Sequence, residues 1–102
     1  MRKVVFSKTA AAKLDELLNY LEKEWTVKVK QQFIAKLDKV LHQIAKYPMS
    51  AEKSYLVPGL HKMVVTKQTT IYYKHNESQI FVVAVFDTRQ SKTKLETSLK
   101  NK

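Results

Sequence analysis

The sequence predicts an α+β fold: an N-terminal short strand and a two-helix hairpin packed on one face of a mostly antiparallel 3–4 stranded sheet, with a short C-terminal helix. Three observations predict it. Two stretches in the first half repeat apolar residues at helical spacing. Residues 58–90 contain three apolar strands in tandem. The length of 102 residues is that of one domain, residues 1–102.

The first half of the chain predicts one strand and two amphipathic helices. Residues 3–6 are rich in β-branched side chains, and Ser7 is placed to cap a helix over residues 8–24. Thr26 is placed to cap a second helix, which Pro48 ends. Because the link is very short, the helices should form an antiparallel hairpin. The apolar stripes are Leu14, Leu17, Leu18, Leu21 and Trp25 in the first helix, and Phe33, Ile34, Leu37, Val40, Leu41 and Ile44 in the second.

The second half predicts the sheet. Residues 80–86 are apolar on both faces, which predicts a central strand covered on both sides. Strands this close in sequence should pair antiparallel. The other predicted elements are a loop at 49–53, an edge strand at 54–57, a turn at Pro58-Gly59, strands at 60–67 and 70–74, a turn at Gln68-Thr69, a hairpin loop at 76–78 and a terminal helix at 91–99.

The charge is strongly basic and unevenly distributed. Nineteen Lys and Arg residues stand against nine Asp and Glu, giving a net charge of +10. From Lys53 onward there are nine bases and three acids. Such an excess is typical of proteins with an anionic partner, which could be nucleic acid, an acidic protein or both. The alternative is a lysine-rich surface that serves solubility, and charge alone weights the two readings evenly.

The composition excludes several kinds of site. The absence of Cys rules out disulfides, thiolate metal sites and Cys nucleophiles. A single Gly rules out a phosphate-binding loop, which needs several flexible positions. Three scattered His residues lack the spacing of a helical metal site, so we expect neither metal nor cofactor. With no apolar leader and no membrane-spanning stretch, we expect a soluble cytoplasmic protein without a membrane partner.

Polar residues on and beside the predicted strands are the remaining candidates for chemistry. Metal-free RNA cleavage requires a base, cations around the phosphate and a proton donor. Arg89 stands out because it follows the buried strand, which could support it rigidly. Tyr72 and Tyr73 are equally explained as strand residues with at least one ring buried. The set is His61, Lys62, Lys67, Thr70, Tyr72, Tyr73, Lys74, Asp87, Thr88, Arg89 and Gln90.

The order and spacing of several motifs resemble the RelE/ParE superfamily of type II toxin–antitoxin toxins. The resemblance spans about residues 3–95. Its motifs are Trp25 closing the first helix, the Phe33/Leu37/Leu41 stripe, Pro48 after the second helix, Pro58-Gly59-Leu60 before a strand, Ile71-Tyr72-Tyr73 in the next strand, and the final VVAVFDTRQ.

The resemblance implies a growth-inhibiting toxin that is silenced by a cognate antitoxin protein, usually through an extended or helical acidic segment. RelE-like members cut mRNA on the ribosome, whereas ParE-like members are associated with inhibition of DNA gyrase. RelE-like members cut with Lys and Arg residues on the strands and a late Tyr or His. The strand positions of that set fall here on His61, Met63, Thr70 and either Thr88 or Arg89. The position of the late Tyr or His falls near Lys94, so most of the set is missing.

Three hypotheses for the function are kept. The leading hypothesis is a ParE-like toxin acting on a macromolecular target such as DNA gyrase. The alternative is a ribosome-dependent mRNA endoribonuclease, in which His61 is the acid or base and Lys62, Lys67 and Arg89 stabilise the phosphate. The third is a non-toxic, basic nucleic-acid-binding module. The predicted residues for binding a target or nucleic acid are Lys62, Lys67, Tyr73, Lys74, Arg89, Lys92 and Lys94.

Overall fold

The computed structural model describes residues 1–53 and 58–89, in which two helices accompany a five-stranded sheet of order β1-β5-β4-β3-β2. The predicted edge strand at 54–57, the terminal helix at 91–99, and Gln90, Lys92 and Lys94 lie outside these residues. The helices are α1 (Lys8–Glu24) and α2 (Val27–Lys46), followed by a 3₁₀ turn (Pro48–Ser50). The strands are β1 (Lys3–Phe6), β2 (Glu52–Lys53), β3 (His61–Val64), β4 (Thr69–His75) and β5 (Gln79–Asp87).

The two helices begin and end where the sequence predicts. Ser7 Oγ accepts a hydrogen bond from the Ala10 amide at 3.0 Å, and Thr26 Oγ1 accepts one from the Val29 amide at 3.0 Å. Each cap satisfies one amide that the first helical turn leaves without an intrahelical partner. α2 ends two residues before Pro48. In the part of the chain that the structure describes, neither helix is long and apolar enough to cross a membrane.

The sheet confirms the antiparallel pairing of β3, β4 and β5, while β1 joins β5 in parallel. Two local predictions are wrong. β2 forms in the predicted loop, because the backbone of residues 52–53 pairs with β3 and needs no particular side chain. The turn predicted at Gln68-Thr69 comes earlier, because Thr66 accepts hydrogen bonds from the Thr69 amide through both its carbonyl and its hydroxyl oxygen. Thr69 therefore begins β4.

One face of the sheet packs against both helices and forms the core. Tyr73, at its centre, is fully buried and donates a hydrogen bond from its hydroxyl to the Pro48 carbonyl oxygen at 2.6 Å. The other buried apolar residues are Ala10, Leu17 and Leu21 of α1, Phe33, Leu37, Ile44 and Ala45 of α2, and Ile71, Ile80, Val82 and Val85 of the sheet.

The prediction that β5 is covered on both faces is wrong for the described residues. Its inward side chains are buried, but Phe81, Val83 and Ala84 keep intermediate exposure and Phe86 is 49 % exposed. The reason is the short hairpin link, because two helices joined by two residues lie on the same side of the sheet. An all-apolar strand signals two apolar faces, yet it cannot show how many layers will cover them.

Candidate functional site

The sheet face turned away from the helices carries three rows of side chains, which we call the open face. Strand alternation places these side chains opposite the buried set. Register brings residues of neighbouring strands side by side. The rows are Val5, Phe81 and Lys74, then Ala84, Tyr72 and Lys62, then Phe86, Thr70 and Val64; Lys3 lies at the edge beside Gln79.

The open face combines exposed apolar groups with lysines. Val64 is 55 % exposed at one end of the third row, and Phe86 lies at the other end. Lys62 and Lys74 are exposed, and the Lys74 ammonium lies 6.0 Å from the centroid of the Phe81 ring. Contiguous apolar side chains edged by cations are typical of a surface that binds another macromolecule. The cations favour a partner of negative charge.

His61, the predicted acid or base, points away from this face. It is only 7 % exposed, and its ring stacks on Tyr73 with 5.3 Å between centroids. The His75 ring lies 5.1 Å from the His61 ring. Nδ1 of His61 is buried without a hydrogen-bond partner. Lys62, the next residue in the strand, projects to the opposite side, as strand alternation requires.

Burial disfavours the charged forms of His75 and Tyr73, the ring residues beside His61. Desolvation, then the neighbouring His61, then Arg2 lower the pKa of His75. Arg2 is held there by a hydrogen bond from its Nε to the Asn76 carbonyl oxygen at 2.7 Å. Burial raises the pKa of Tyr73 to about 12. A phenol with that pKa is a poor proton donor at neutral pH.

Arg89 lies at the far end of β5 in a network that the sequence did not predict. Its Nε and Nη2 donate to the two carboxylate oxygens of Asp87 at 3.2 and 3.0 Å. Asp87 is 1 % exposed and also accepts a hydrogen bond from Thr69 Oγ1 at 2.5 Å. The Arg89 guanidinium carbon lies 5.9 Å from the centre of the Trp25 ring. Arg89 therefore neutralises a buried carboxylate and joins the tip of the helical hairpin to the sheet.

The residues predicted for catalysis do not converge. His61 is level with Tyr73 and, across β4, with Val82. Asp87 is level with Thr69, which lies four residues before Tyr73 in β4, about 13 Å along a strand at roughly 3.3 Å per residue. The imidazole and the guanidinium are thus at different ends of the sheet, and Lys62 is on its other face.

The residues predicted for binding are also divided. Lys62 and Lys74 lie on the open face, and Lys67 is exposed in the turn between β3 and β4. Tyr73 is buried, so its ring has no surface for a partner, and the half-exposed neighbour Tyr72 occupies the open face instead. Sequence reasoning missed the apolar members Phe81 and Phe86 because it assigned the second face of β5 to the core.

Comparison with known proteins places the chain in a family. The model of the ParE toxin of the type II toxin–antitoxin system parDE matches residues 4–92. No curated protein sequence matches the chain. Among solved structures, the chromosomal ParDE toxin–antitoxin system from P. aeruginosa is similar with a TM-score of 0.70 and 12 % identity, over 85 % of this chain and 96 % of that one.

Two further structures share the fold. The YoeB/ParE toxin from Agrobacterium tumefaciens is 10 % identical, with a TM-score of 0.61 over 83 % of this chain and 96 % of that one. The E. coli DinJ–YafQ complex gives 9 % identity and a TM-score of 0.60, over 88 % of this chain and 97 % of that one. The predicted α+β fold and the resemblance to RelE/ParE toxins are confirmed. The chain belongs to the ParE toxin family of type II toxin–antitoxin systems.

Proposed function

We propose that this toxin halts growth by binding a macromolecular target, with DNA gyrase as the first candidate, and not by cutting RNA. The observation that carries the proposal is the dispersal of His61, Lys62 and Arg89 over two faces and two ends of the sheet. Phosphodiester cleavage needs its base, acid and cations within hydrogen-bond reach of one phosphate. The two distant ends of a rigid sheet do not offer such a cluster.

The ion pair of Arg89 supports the same conclusion. A guanidinium that holds a buried carboxylate through two hydrogen bonds is costly to withdraw, because Asp87 would be left with less compensation for its charge. Arg89 is therefore poorly suited to stabilising a transition-state phosphate. Gyrase is the first candidate because the ParE-like members of the superfamily are associated with it.

The open face is the proposed target-binding surface. Tyr72, Phe81 and Phe86 offer aromatic area, which contributes much of the binding energy at protein interfaces. Lys62 and Lys74 supply charge that attracts and orients an anionic surface. A rigid sheet presents these groups in a fixed pattern, so little conformational freedom is lost on binding.

The proposed partner that silences the toxin is an antitoxin with an acidic segment. Membership of the ParE family supports the existence of such a partner. The net charge of +10 supports its acidity, because charge complementarity accelerates association and excludes like-charged partners.

Growth and supercoiling assays test the target. Expression of the chain should arrest bacterial growth, and the purified protein should inhibit supercoiling by purified gyrase. Lys62→Ala combined with Phe86→Ala should weaken both effects by about tenfold or more, because an aromatic contact and a charge are lost together. Lys39→Ala, on an exposed position of α2, is the matched control and should keep both effects. Growth arrest with fully active gyrase would exclude this target.

The rival function is ribosome-dependent mRNA cleavage, and the paired rings of His61 and His75 are the observation that favours it. Two imidazoles this close could divide the roles of acid and base. Toeprinting of translating ribosomes with the purified toxin separates the two functions. Cleavage that His61→Ala abolishes, in a variant that still folds, would replace our proposal with the nuclease.

A further inference from the structure

Two histidines from neighbouring strands meet on the helix side of the sheet, and we call them the histidine pair. His61 begins β3 and is level with Tyr73, while His75 ends β4 two residues further on and therefore on the same face. The two imidazole rings lie 5.1 Å apart between centroids, and their planes are tilted by 46°. Strand register alone brings them together, so the sequence carries no signature of the pair.

The separation of the rings is that of two imidazoles bound to one metal ion. With a zinc–nitrogen bond of about 2.0–2.1 Å, a ring centre about 1.1 Å behind each nitrogen and a tetrahedral angle, the two ring centres lie about 5 Å apart. The observed distance of 5.1 Å agrees with this arrangement. The tilt matters as well, because parallel stacked rings direct their nitrogens side by side, whereas tilted rings let them converge on one point.

Nδ1 of His61 supplies an independent observation. The side chain is only 7 % exposed, and this nitrogen is buried without a hydrogen-bond partner among the described residues. Buried polar atoms are nearly always satisfied, and a bound ion is one of the partners that explain an exception. Ring packing alone accounts for the distance between the two histidines, but it leaves this nitrogen unsatisfied.

The surroundings keep His75 in the form that binds a metal. A metal ligand must be the neutral imidazole. Desolvation, then His61, then Arg2 lower the pKa of His75, so its ring is neutral at pH 7. The Arg2 guanidinium also repels a second cation, although its Nε is bound to the Asn76 carbonyl oxygen. We therefore expect an exchangeable ion and not a permanently held one.

An ion can reach the histidine pair from the side of His75. This residue is half exposed and lines a cavity of about 330 Å³ together with Lys74, Asn76, Gln79 and Phe81. Within residues 1–53 and 58–89, no group of three or more His, Cys, Asp or Glu side chains is placed to hold a metal. Two protein ligands are thus available, and water completes the coordination, as it does at open metal sites.

We propose that His61, through Nδ1, and His75 bind one divalent ion of borderline softness, with Zn²⁺ as the first candidate. Imidazole is a preferred ligand of this ion. The ion joins the start of β3 to the end of β4. It also occupies the two rings that the rival nuclease mechanism would need for proton transfer. The site is independent of the target proposed above and goes beyond it.

Titration of Zn²⁺ into the purified, tag-free chain tests the site. After treatment with EDTA and dialysis, isothermal titration calorimetry should show saturable binding of one ion per chain, and the ion should raise the melting temperature. His75→Gln should keep the wild-type circular dichroism, because the side chain is half exposed, and should weaken binding by about tenfold or more. His42→Gln, at an exposed position of α2, is the matched control and should bind as the wild type does.

The ring nitrogens give a readout that needs no variant to fold. In ¹⁵N NMR spectra of the unmodified chain, Zn²⁺ should shift Nδ1 of His61 and one ring nitrogen of His75 and leave those of His42 in place. Shifts confined to His42, or binding that His42→Gln abolishes, would assign the ion to the exposed Asp38–His42 pair and overturn the inference. The absence of saturable binding, or wild-type binding by His75→Gln, would also overturn it.

These results are separable from those that test the proposed function, because Zn²⁺ binding is measured without gyrase and without cells. Growth arrest by a chain that binds no Zn²⁺ removes the metal site and leaves the proposed function standing. Zn²⁺ binding at the histidine pair by a chain that does not arrest growth supports the metal site and removes the proposed function.

Discussion

At the residue scale, Asp87 shows how a buried charge is retained in a small fold. Its carboxylate accepts hydrogen bonds from Thr69 and from Arg89 while exposing 1 % of its surface. A buried carboxylate is tolerated only where partners replace its lost hydration. Thr69→Val preserves the shape of the side chain and removes one donor. The free energy of unfolding should fall by about 1–3 kcal/mol, as measured by urea denaturation.

Thr70→Val is the control for this prediction, because it makes the same change one residue along, on the open face. Thr70 is half exposed, so its hydroxyl retains access to water and the stability should stay within about 0.5 kcal/mol of the wild type. Equal losses in the two variants would show that the hydroxyl bound to Asp87 has no special contribution.

His75 predicts how stability depends on pH. Its pKa is lowered in the folded protein by desolvation, by His61 and by Arg2, so the unfolded chain binds the proton more readily. The free energy of unfolding should therefore decrease as the pH falls below about 6.5, the ordinary value for histidine. Thermal melts between about pH 7.5 and about pH 5 measure this decrease, and His75→Gln should reduce it.

His42→Gln provides the comparison for His75, because His42 is exposed on α2. This variant should keep the wild-type decrease. A decrease that is identical in the wild type and in both variants would assign the pH dependence to other groups.

At the element scale, Tyr73 connects β4 to the junction after α2. Its hydroxyl donates to the Pro48 carbonyl oxygen at 2.6 Å, inside the core. Tyr73→Phe keeps the ring packed and leaves that carbonyl without this donor. The expected loss of stability is about 1 kcal/mol, measured by chemical denaturation. Tyr72→Phe on the open face should be nearly neutral, and a larger loss there than in Tyr73→Phe would contradict the assignment.

The elements also show where sequence reasoning succeeds. The helix starts were predictable because Ser7 and Thr26 act on amides only three residues away. β2 was not predictable, since backbone pairing with β3 forms it and its side chains carry no pattern. The exposure of Phe86 could not be read from an all-apolar strand, because the number of covering layers is a tertiary property.

The candidate site, too, was only partly predictable from the sequence. Lys62 and Lys74 were selected as cations on the predicted strands, and both lie on the open face because strand alternation turns them away from the core. The sequence did not indicate that the Arg89 guanidinium is bound to the Asp87 carboxylate. Thr69, which also binds this carboxylate, is 18 residues from Asp87 in sequence and is brought beside it only by strand register.

At the scale of the whole molecule, helices cover one side of a five-stranded sheet, and the described residues leave the other side exposed. The apolar area that remains on the open face follows from that one-sided arrangement. The net charge of +10 favours acidic partners over further copies of the chain. The long-range field of the molecule should therefore govern how fast a partner arrives, whereas local contacts govern how long it stays.

Binding kinetics with the antitoxin test this division. The association rate constant should fall by about tenfold or more between about 0.02 M and about 0.5 M salt, while the dissociation rate constant changes little. Lys39→Glu and Lys8→Glu both lower the net charge by two, so each should slow association at low salt. Association that is insensitive to salt would show that the overall charge does not steer the partner.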